Sequence, residues 1–171
     1  MKNYIVSKNH PAFYHFKAAF QLINIDEMRK PLHYIKIEDN VAQSTNAHVL
    51  QAFEVHGIEN NLYRIASYGD DFILVANNDD NKIKWPNNVP KIINNYETKD
   101  SFHVYVKNND ISELAKRTFD TDRFISFDYL HIVTYLESIE VFKSQNNEGI
   151  MIVPTNKLES WVLYVIMKAK I

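Results

Sequence analysis

The sequence predicts an α+β fold in which helices lie on one face of antiparallel sheets. The 10 Tyr, 10 Phe and numerous Ile residues favour strands over a fully helical fold. Residues 9–23 and 128–138 instead carry apolar side chains at helical spacing. The order of one strand, one helix and three strands occurs twice, in residues 2–55 and 123–170. This repeated order predicts two strand-helix-three-strand units.

The first helix is predicted to begin at residues 9–11 and to run to about residue 23. Pro11 suits the first turn, where its missing N–H needs no partner. One apolar stripe follows at spacings of three or four residues, and we expect it to face the core: Phe13, Phe16, Phe20 and Ile23. The opposite face, predicted to be solvated, offers His15, Lys17 and Gln21.

Residues 26–55 combine several structural signals within one stretch. Pro31 ends helical structure and favours an extended Lys30. Residues 32–37 are then predicted to form a strand, with turn residues at 38–40 and a second β-prone run up to residue 55. Inside that run, residues 44–50 (STNAHVL) form a polar corner that ends in an apolar anchor.

The remaining elements follow from the same patterns. A hairpin is predicted over residues 62–76 around a turn at 68–71, and the Asp/Asn run at 77–81 lacks the spacing of a calcium loop. Later elements are a helix capped by Asp110, a helix over 128–138 and strands at 102–106, 124–127, 140–143, 149–154 and 161–170.

Composition excludes several classes of site. The chain has no Cys, which removes disulfides, thiol nucleophiles and Cys-ligated zinc, and its 3 Gly do not form a phosphate-binding loop. The seven His are scattered without metal-ligand spacing, and no serine lies in a nucleophile elbow. We therefore expect a non-enzyme without metal or cofactor.

The sequence also bears on the cellular location of the protein and on binding to nucleic acid. No apolar run is long enough to span a membrane and no signal-peptide core is present, so we expect a cytoplasmic protein. The net charge is −2, and no third of the chain has an excess of basic residues. A protein that relied on phosphate neutralisation for affinity would normally show a basic patch.

The order of motifs resembles the bacterial DNA polymerase III β subunit, the sliding clamp. Domains of that family carry a D-E-x-R-P segment, a strand pair and an A-T-D-G-H-R-L corner, for which this chain has DEMRKP at 26–31 and STNAHVL at 44–50. The family ends close to Y-V-V-M-P-M-R-L, and this chain ends YVIMKAKI at 164–171. Departures include an extra residue before Pro31, Asn46 for the acid, Val49 for the arginine and Ala169 for a methionine.

The resemblance implies a DNA-clamp-like (processivity) fold over residues 1–171. On this interpretation residues 2–56 and 122–171 are half units, and residues 57–121 are an insertion or a compressed domain junction. Residues 85–93 (WPNNVPKII) resemble the connector between clamp domains, although a plain surface loop fits them equally well.

The resemblance also implies a groove for a short apolar peptide from a replication or repair protein. The corresponding residues here are Thr45, His48, Leu50, Pro86, Ile92, Val165 and Met167. The alternative is that Leu50, Val165 and Met167 belong to the core. For His48, a structural role through a side-chain hydrogen bond at the turn is the simpler interpretation.

Clamp helices face DNA, so the resemblance implies that double-stranded DNA would meet His15, Lys17, Lys116 and Arg117. A homo-oligomeric ring on DNA and a peptide-binding decoy away from DNA are both compatible with this interpretation. The alternative function is an α+β protein-interaction module with no role on DNA.

Overall fold

The chain forms two compact units. The computed structural model describes residues 2–23, 30–78, 85–86, 92, 96, 101–106, 111–119, 127–144, 149–156 and 160–167. The first unit comprises residues 1–86 with 159–162, and the second comprises residues 87–158 with 163–171. Each unit contains the order of one strand, helical structure and three strands that the sequence predicts.

The first unit is an antiparallel sheet with one helix. Its described elements are β1 (Tyr4–Val6), α1 (Phe13–Ile23), β2 (Ile35–Glu38), β3 (Val41–Thr45), β4 (Val49–Glu54), β5 (Asn61–Tyr68) and β6 (Asp71–Ala76). The strand order is β1-β6-β5-β2-β3-β4, and all the pairs among these strands are antiparallel. A 3-10 turn, Lys30–His33, precedes β2.

Helix α1 packs on strands β3 and β4 through its predicted apolar stripe. Phe16 is completely buried, and its ring meets the ring of Phe53 edge to face with 4.9 Å between centroids. Phe13 and Ile23 are also buried, while Phe20 is half-buried. The prediction of this helix and of its core face is confirmed, but the helix begins at Phe13 and not at residues 9–11.

The segment before β2 differs from its prediction. Lys30 belongs to the 3-10 turn and is not extended, and the strand begins at Ile35 and not at residue 32. A proline ends a preceding helix, but its fixed φ also suits an early position in a new helical turn. Pro31 therefore fits the second position of the 3-10 turn. Residues 26–29 of the DEMRKP motif lie outside the described residues.

The second unit is also built on an antiparallel sheet. Its elements are β7 (Ser101–Tyr105), α2 (Ser112–Phe119), α3 (Phe127–Leu130), β8 (Ser138–Lys143), β9 (Gly149–Pro154) and β10 (Val162–Met167). The strand order is β10-β9-β8-β7, and the division between the units falls at the start of β10.

The helix predicted over residues 128–138 is much shorter in the structure. Only α3 and a 3-10 turn, His131–Val133, are helical, and β8 begins at Ser138. The N–H of Leu136 donates to the carbonyl of Val133 at 3.0 Å, which is the tighter spacing of a 3-10 turn. The buried Ile132, Val133 and Leu136 satisfy both conformations, so the apolar spacing alone did not distinguish them.

The interpretation of residues 57–121 as an insertion or connector stays a prediction. Within this range, β5 and β6 belong to the first unit, and β7 is the first described strand of the second unit. The predicted strand at 124–127 does not supply that first strand: Phe127 begins α3, and residues 124–126 lie outside the described residues. Asp110, the predicted cap, also lies outside them.

The β2–β3 turn confirms the prediction at residues 38–40. Asp39 and Asn40 have φ values of 51° and 62°, so both occupy the left-handed region that a two-residue hairpin turn requires. The carbonyl of Asn40 also accepts a hydrogen bond of 2.9 Å from the N–H of Val55. Asn and Asp tolerate this backbone conformation better than branched residues do.

Replacing the turn residue Asn40 by valine tests whether the positive φ at this position limits which residues are tolerated. We expect Asn40→Val to lower the free energy of unfolding by about 1–2 kcal/mol, because a β-branched residue is disfavoured at positive φ. The matched control Asn40→Gly should stay within about 0.5 kcal/mol of the wild type. Urea unfolding measures both, and an equal loss in the two variants would contradict the explanation.

Candidate functional site

The corner at residues 44–50 is held by two side chains that accept hydrogen bonds from its own backbone. Asn46 Oδ1 accepts from the N–H groups of His48, at 3.0 Å, and Val49, at 2.8 Å. Thr45 Oγ1 accepts from the N–H of Ala47, which has φ of 75°. These local bonds fix the chain reversal between β3 and β4.

His48 contributes its backbone N–H to the turn, and its side chain is exposed. The predicted role of that side chain at the turn stays a prediction. The bond that fixes the corner comes from Asn46, which is 1% exposed. Asn46 Nδ2 is buried and has no hydrogen-bond partner among the described residues. The acid-to-amide departure at Asn46 therefore keeps the acceptor that the corner uses and adds a buried donor.

A series of buried side-chain hydrogen bonds connects the corner to helix α1 and to residue 160. Ser44 Oγ donates to Gln51 Oε1 at 3.0 Å, and Gln51 Nε2 donates to the carbonyl of His15 at 2.9 Å. His15 Nε2 lies 3.1 Å from the carbonyl oxygen of Ser160. Ser160 Oγ in turn donates to the carbonyl of Glu54 at 2.5 Å. These hydrogen bonds link α1, β3, β4 and the segment at residue 160 within the first unit.

His15 is buried, which corrects its assignment to the solvated, DNA-facing side of α1. Only 4% of the residue is exposed, and its ring packs against Phe53 with 5.5 Å between centroids. Because the Ser160 carbonyl can only accept, His15 Nε2 carries the proton in this hydrogen bond. Burial lowers the pKa of His15 to about 4, although the bond to Ser160 acts in the opposite direction. His15 is therefore neutral near pH 7.

The burial of His15 predicts a loss of stability in mild acid. The folded pKa of about 4 lies below the ordinary 6.5, so the unfolded chain binds a proton first as the pH falls. Between pH 7.5 and 5 the His15 contribution to the free energy of unfolding should fall by about 2 kcal/mol. Urea unfolding at both values should show a smaller fall in His15→Gln than in the wild type.

The control for this measurement is His48→Gln, which removes an imidazole at an exposed position. Equal pH dependence in the wild type and in His15→Gln would contradict the account of His15.

The first unit also holds Leu50 and Pro86 of the predicted groove. Thr45 is 8% exposed and Leu50 is 5% exposed, whereas Pro86 is half-buried. The burial of Leu50 agrees with the alternative that places it in the core.

The second unit holds Ile92, Val165 and Met167. Val165 is fully buried, and Ile92 and Met167 are half-buried. The hydroxyl of Tyr96 donates to Met167 Sδ at 3.7 Å. Gly149 lies opposite Met167 in the β9–β10 pair, and a Cβ there would lie 2.9 Å from the Tyr96 hydroxyl oxygen. Tyr96 thus positions Met167, a role that the sequence did not indicate.

The predicted DNA-facing cations differ in how they are used. Lys17 on α1 and Lys116 on α2 are exposed. Arg117 is exposed as well, but Nη1 donates to the carbonyl of His103 on β7 at 2.7 Å. Its guanidinium also lies over the ring of Phe102 and pairs with Glu113. Arg117 is therefore committed to its own unit.

Within the described residues, no group of three or more His, Cys, Asp and Glu side chains is arranged to hold a metal ion. None of the helices there has the length and apolar content that a membrane crossing requires.

Comparison with known proteins gives a structural likeness without a sequence match. No protein-family model and no curated protein matches the chain. The DNA polymerase III β subunit of Thermotoga maritima matches with a TM-score of 0.54 and 11% identity, covering 99% of this chain and 65% of that one. The Bartonella birtlesii sliding clamp bound to griselimycin matches with a TM-score of 0.55 and 14% identity, over 99% and 66%.

The H. pylori β clamp in complex with diflunisal has a TM-score of 0.54 and 8% identity, over 98% of this chain and 66% of that one. The chain thus spans about two thirds of the length of these clamps. At these identities the likeness concerns the fold, and it shows that the chain has the sliding-clamp fold.

Proposed function

We propose that this protein of sliding-clamp fold is a non-catalytic, clamp-like protein that tethers replication or repair partners through a peptide-binding groove. The observation that carries the proposal is the likeness of nearly the whole chain to sliding clamps, at TM-scores of 0.54 to 0.55 for the Thermotoga and Bartonella structures. The proposal covers a ring on DNA and a peptide-binding form away from DNA.

The groove residues divide by accessibility. An incoming peptide must reach apolar side chains that solvent can also reach, and the half-buried Pro86, Ile92 and Met167 meet that condition in part. The exposed His48 would offer a polar contact at the rim. Leu50 is nearly closed to solvent and would contribute only from beneath the surface. Met167 is a suitable contact for an apolar motif because a thioether side chain adapts to different partners.

The polar half of the groove differs from the family pattern. Val49, which stands in place of the family's arginine, is aliphatic and therefore offers the peptide no cation, and it is only 1% exposed. A guanidinium at this position would have supplied a bidentate polar contact. We therefore expect partner selection to depend mainly on apolar contacts and on shape.

Binding of a Q-L-x-L-F peptide tests the groove. Met167→Asp should weaken binding at least about tenfold, because it replaces an adaptable apolar contact by a carboxylate that must lose water. Met167→Leu is the matched control: it keeps an apolar side chain of similar volume and should bind the peptide about as tightly as the wild type does. Calorimetric titration measures the affinity, and unchanged binding by Met167→Asp would contradict the groove assignment.

The DNA form of the proposal depends on a small number of exposed cations. Lys17 and Lys116 are available for phosphate contacts, whereas Arg117 already donates to His103. With a net charge of −2, affinity for DNA would come from encirclement more than from a strong positive field. A circular duplex should then retain the protein better than a linear one of equal length.

Retention on DNA provides the second functional test. We expect wild-type protein to stay on a closed circular duplex at moderate salt and to leave when the circle is cut, because only a ring is topologically linked. Lys17→Ala/Lys116→Ala should shorten the retention, since each lost phosphate contact weakens association. Gel filtration of the protein–DNA mixture with light scattering measures retention and mass. Equal retention on circular and linear DNA, or none on either, would contradict the ring.

The alternative function, an interaction module with no role on DNA, has one observation in its favour. Of the four predicted DNA-facing side chains, His15 is buried and Arg117 is occupied within its own unit. Absence of both Q-L-x-L-F peptide binding and DNA retention would select this alternative.

A further inference from the structure

Strand β7 is the last strand in the sheet of the second unit. Its register with β8 shows which backbone groups point away from that sheet. Among the described residues it pairs only with β8, with Phe102 opposite Val141 and Val104 opposite Ile139. The N–H of Val106 continues this ladder by donating to the carbonyl of Glu137 at 2.9 Å. Alternation along a strand then turns the N–H and C=O groups of residues 101, 103 and 105 away from β8.

The residues that carry those outward groups are exposed: Ser101 and His103 are exposed, and Tyr105 is 66% exposed. A strand edge whose backbone donors and acceptors point away from its sheet is a template for pairing with another chain. The short length of β7, five residues, limits this tendency but does not remove it.

Arg117 covers the middle of the edge. Its Nη1 donates to the outward carbonyl of His103 at 2.7 Å, a distance typical of a charge-assisted hydrogen bond. Two further contacts hold the guanidinium there: it lies 4.8 Å from the centroid of the Phe102 ring, and Nε is 3.8 Å from Glu113 Oε1 one helical turn away. The carbonyl at the centre of the edge is thus already satisfied.

We propose that Arg117 guards the β7 edge against antiparallel pairing with β7 of a second copy of this chain. The edge is self-complementary about His103: a two-fold arrangement would pair His103 with itself and Ser101 with Tyr105 of the other copy. Such pairing requires the His103 carbonyl as an acceptor, and Arg117 occupies it. The guard role is independent of peptide and DNA binding.

Removal of the guanidinium tests the proposal. Arg117→Ala should strengthen self-association about tenfold to a hundredfold, because a charged hydrogen bond no longer competes for the carbonyl. Light scattering over a range of protein concentrations measures association. Hydrogen exchange in the same samples should show new, concentration-dependent protection of the amides of residues 101, 103 and 105.

Two variants make the test specific. Lys116→Ala removes a neighbouring exposed cation and should leave self-association and the protection of the three amides as in the wild type. Arg117→Ala/His103→Pro should return to the wild-type state, since proline removes an outward N–H and leaves the β8 ladder intact. If Arg117→Ala does not fold, Glu113→Gln loosens the guanidinium without removing it and should cause a smaller change in the same direction.

Three results would overturn the proposal. The first is association of Arg117→Ala no stronger than that of the wild type. The second is association of Arg117→Ala without protection of the three outward amides, which would make another surface responsible. The third is concentration-dependent protection of those amides in the wild-type protein, which would mean that Arg117 does not close the edge.

Discussion

The first unit depends on one buried amide, Gln51 in strand β4. A side chain this polar is costly to bury unless both ends of its amide find partners. Ser44 and the carbonyl of His15 supply them, at 3.0 and 2.9 Å. Since one partner lies on β3 and the other on α1, satisfying Gln51 fixes the position of the helix over the β3–β4 hairpin. The apolar contact of Phe16 with Phe53 supplies burial at the same place, and Gln51 adds a positional requirement that apolar packing alone does not impose.

Sequence patterns predicted the parts of the fold that rest on local chemistry. Helix α1 followed from a stripe of aromatic and aliphatic residues, and the β2–β3 turn followed from Asp39 and Asn40, which tolerate positive φ. The pairing of distant strands could not be predicted in this way. Pairing of Tyr4 with Leu74 brings β6 beside β1, and no pattern within either strand encodes that choice. The helix predicted at 128–138 failed for a different reason, because its buried residues suit a 3-10 turn as well as an α-helix.

The candidate site shows the same division between local and distant information. The corner at residues 44–50 was predicted from its motif, because the conformation of a turn depends on residues that are neighbours in the sequence. The motif did not say that Asn46 would hold the turn, since several polar residues there had a suitable side chain. His15 was misplaced because helical spacing gives the direction of a side chain but not what covers it. The segment that covers His15 contains Ser160, which is 145 residues away from His15 in the sequence.

Identities of 8 to 14% with the Thermotoga, H. pylori and Bartonella clamps show that the sliding-clamp fold requires few particular residues. It requires alternating burial in the strands, one apolar face on each helix and turn residues that accept positive φ, and many sequences meet those conditions. Function must be argued from individual side chains, because a fold can be kept while its sites change. Arg117 illustrates the distinction. Helix position alone made it a candidate for DNA, but its guanidinium is held by His103, Phe102 and Glu113. A cation with three partners in its own unit must give up those contacts before it can meet a phosphate, so Lys17 and Lys116 are the better measure of whether this chain uses the clamp fold on DNA.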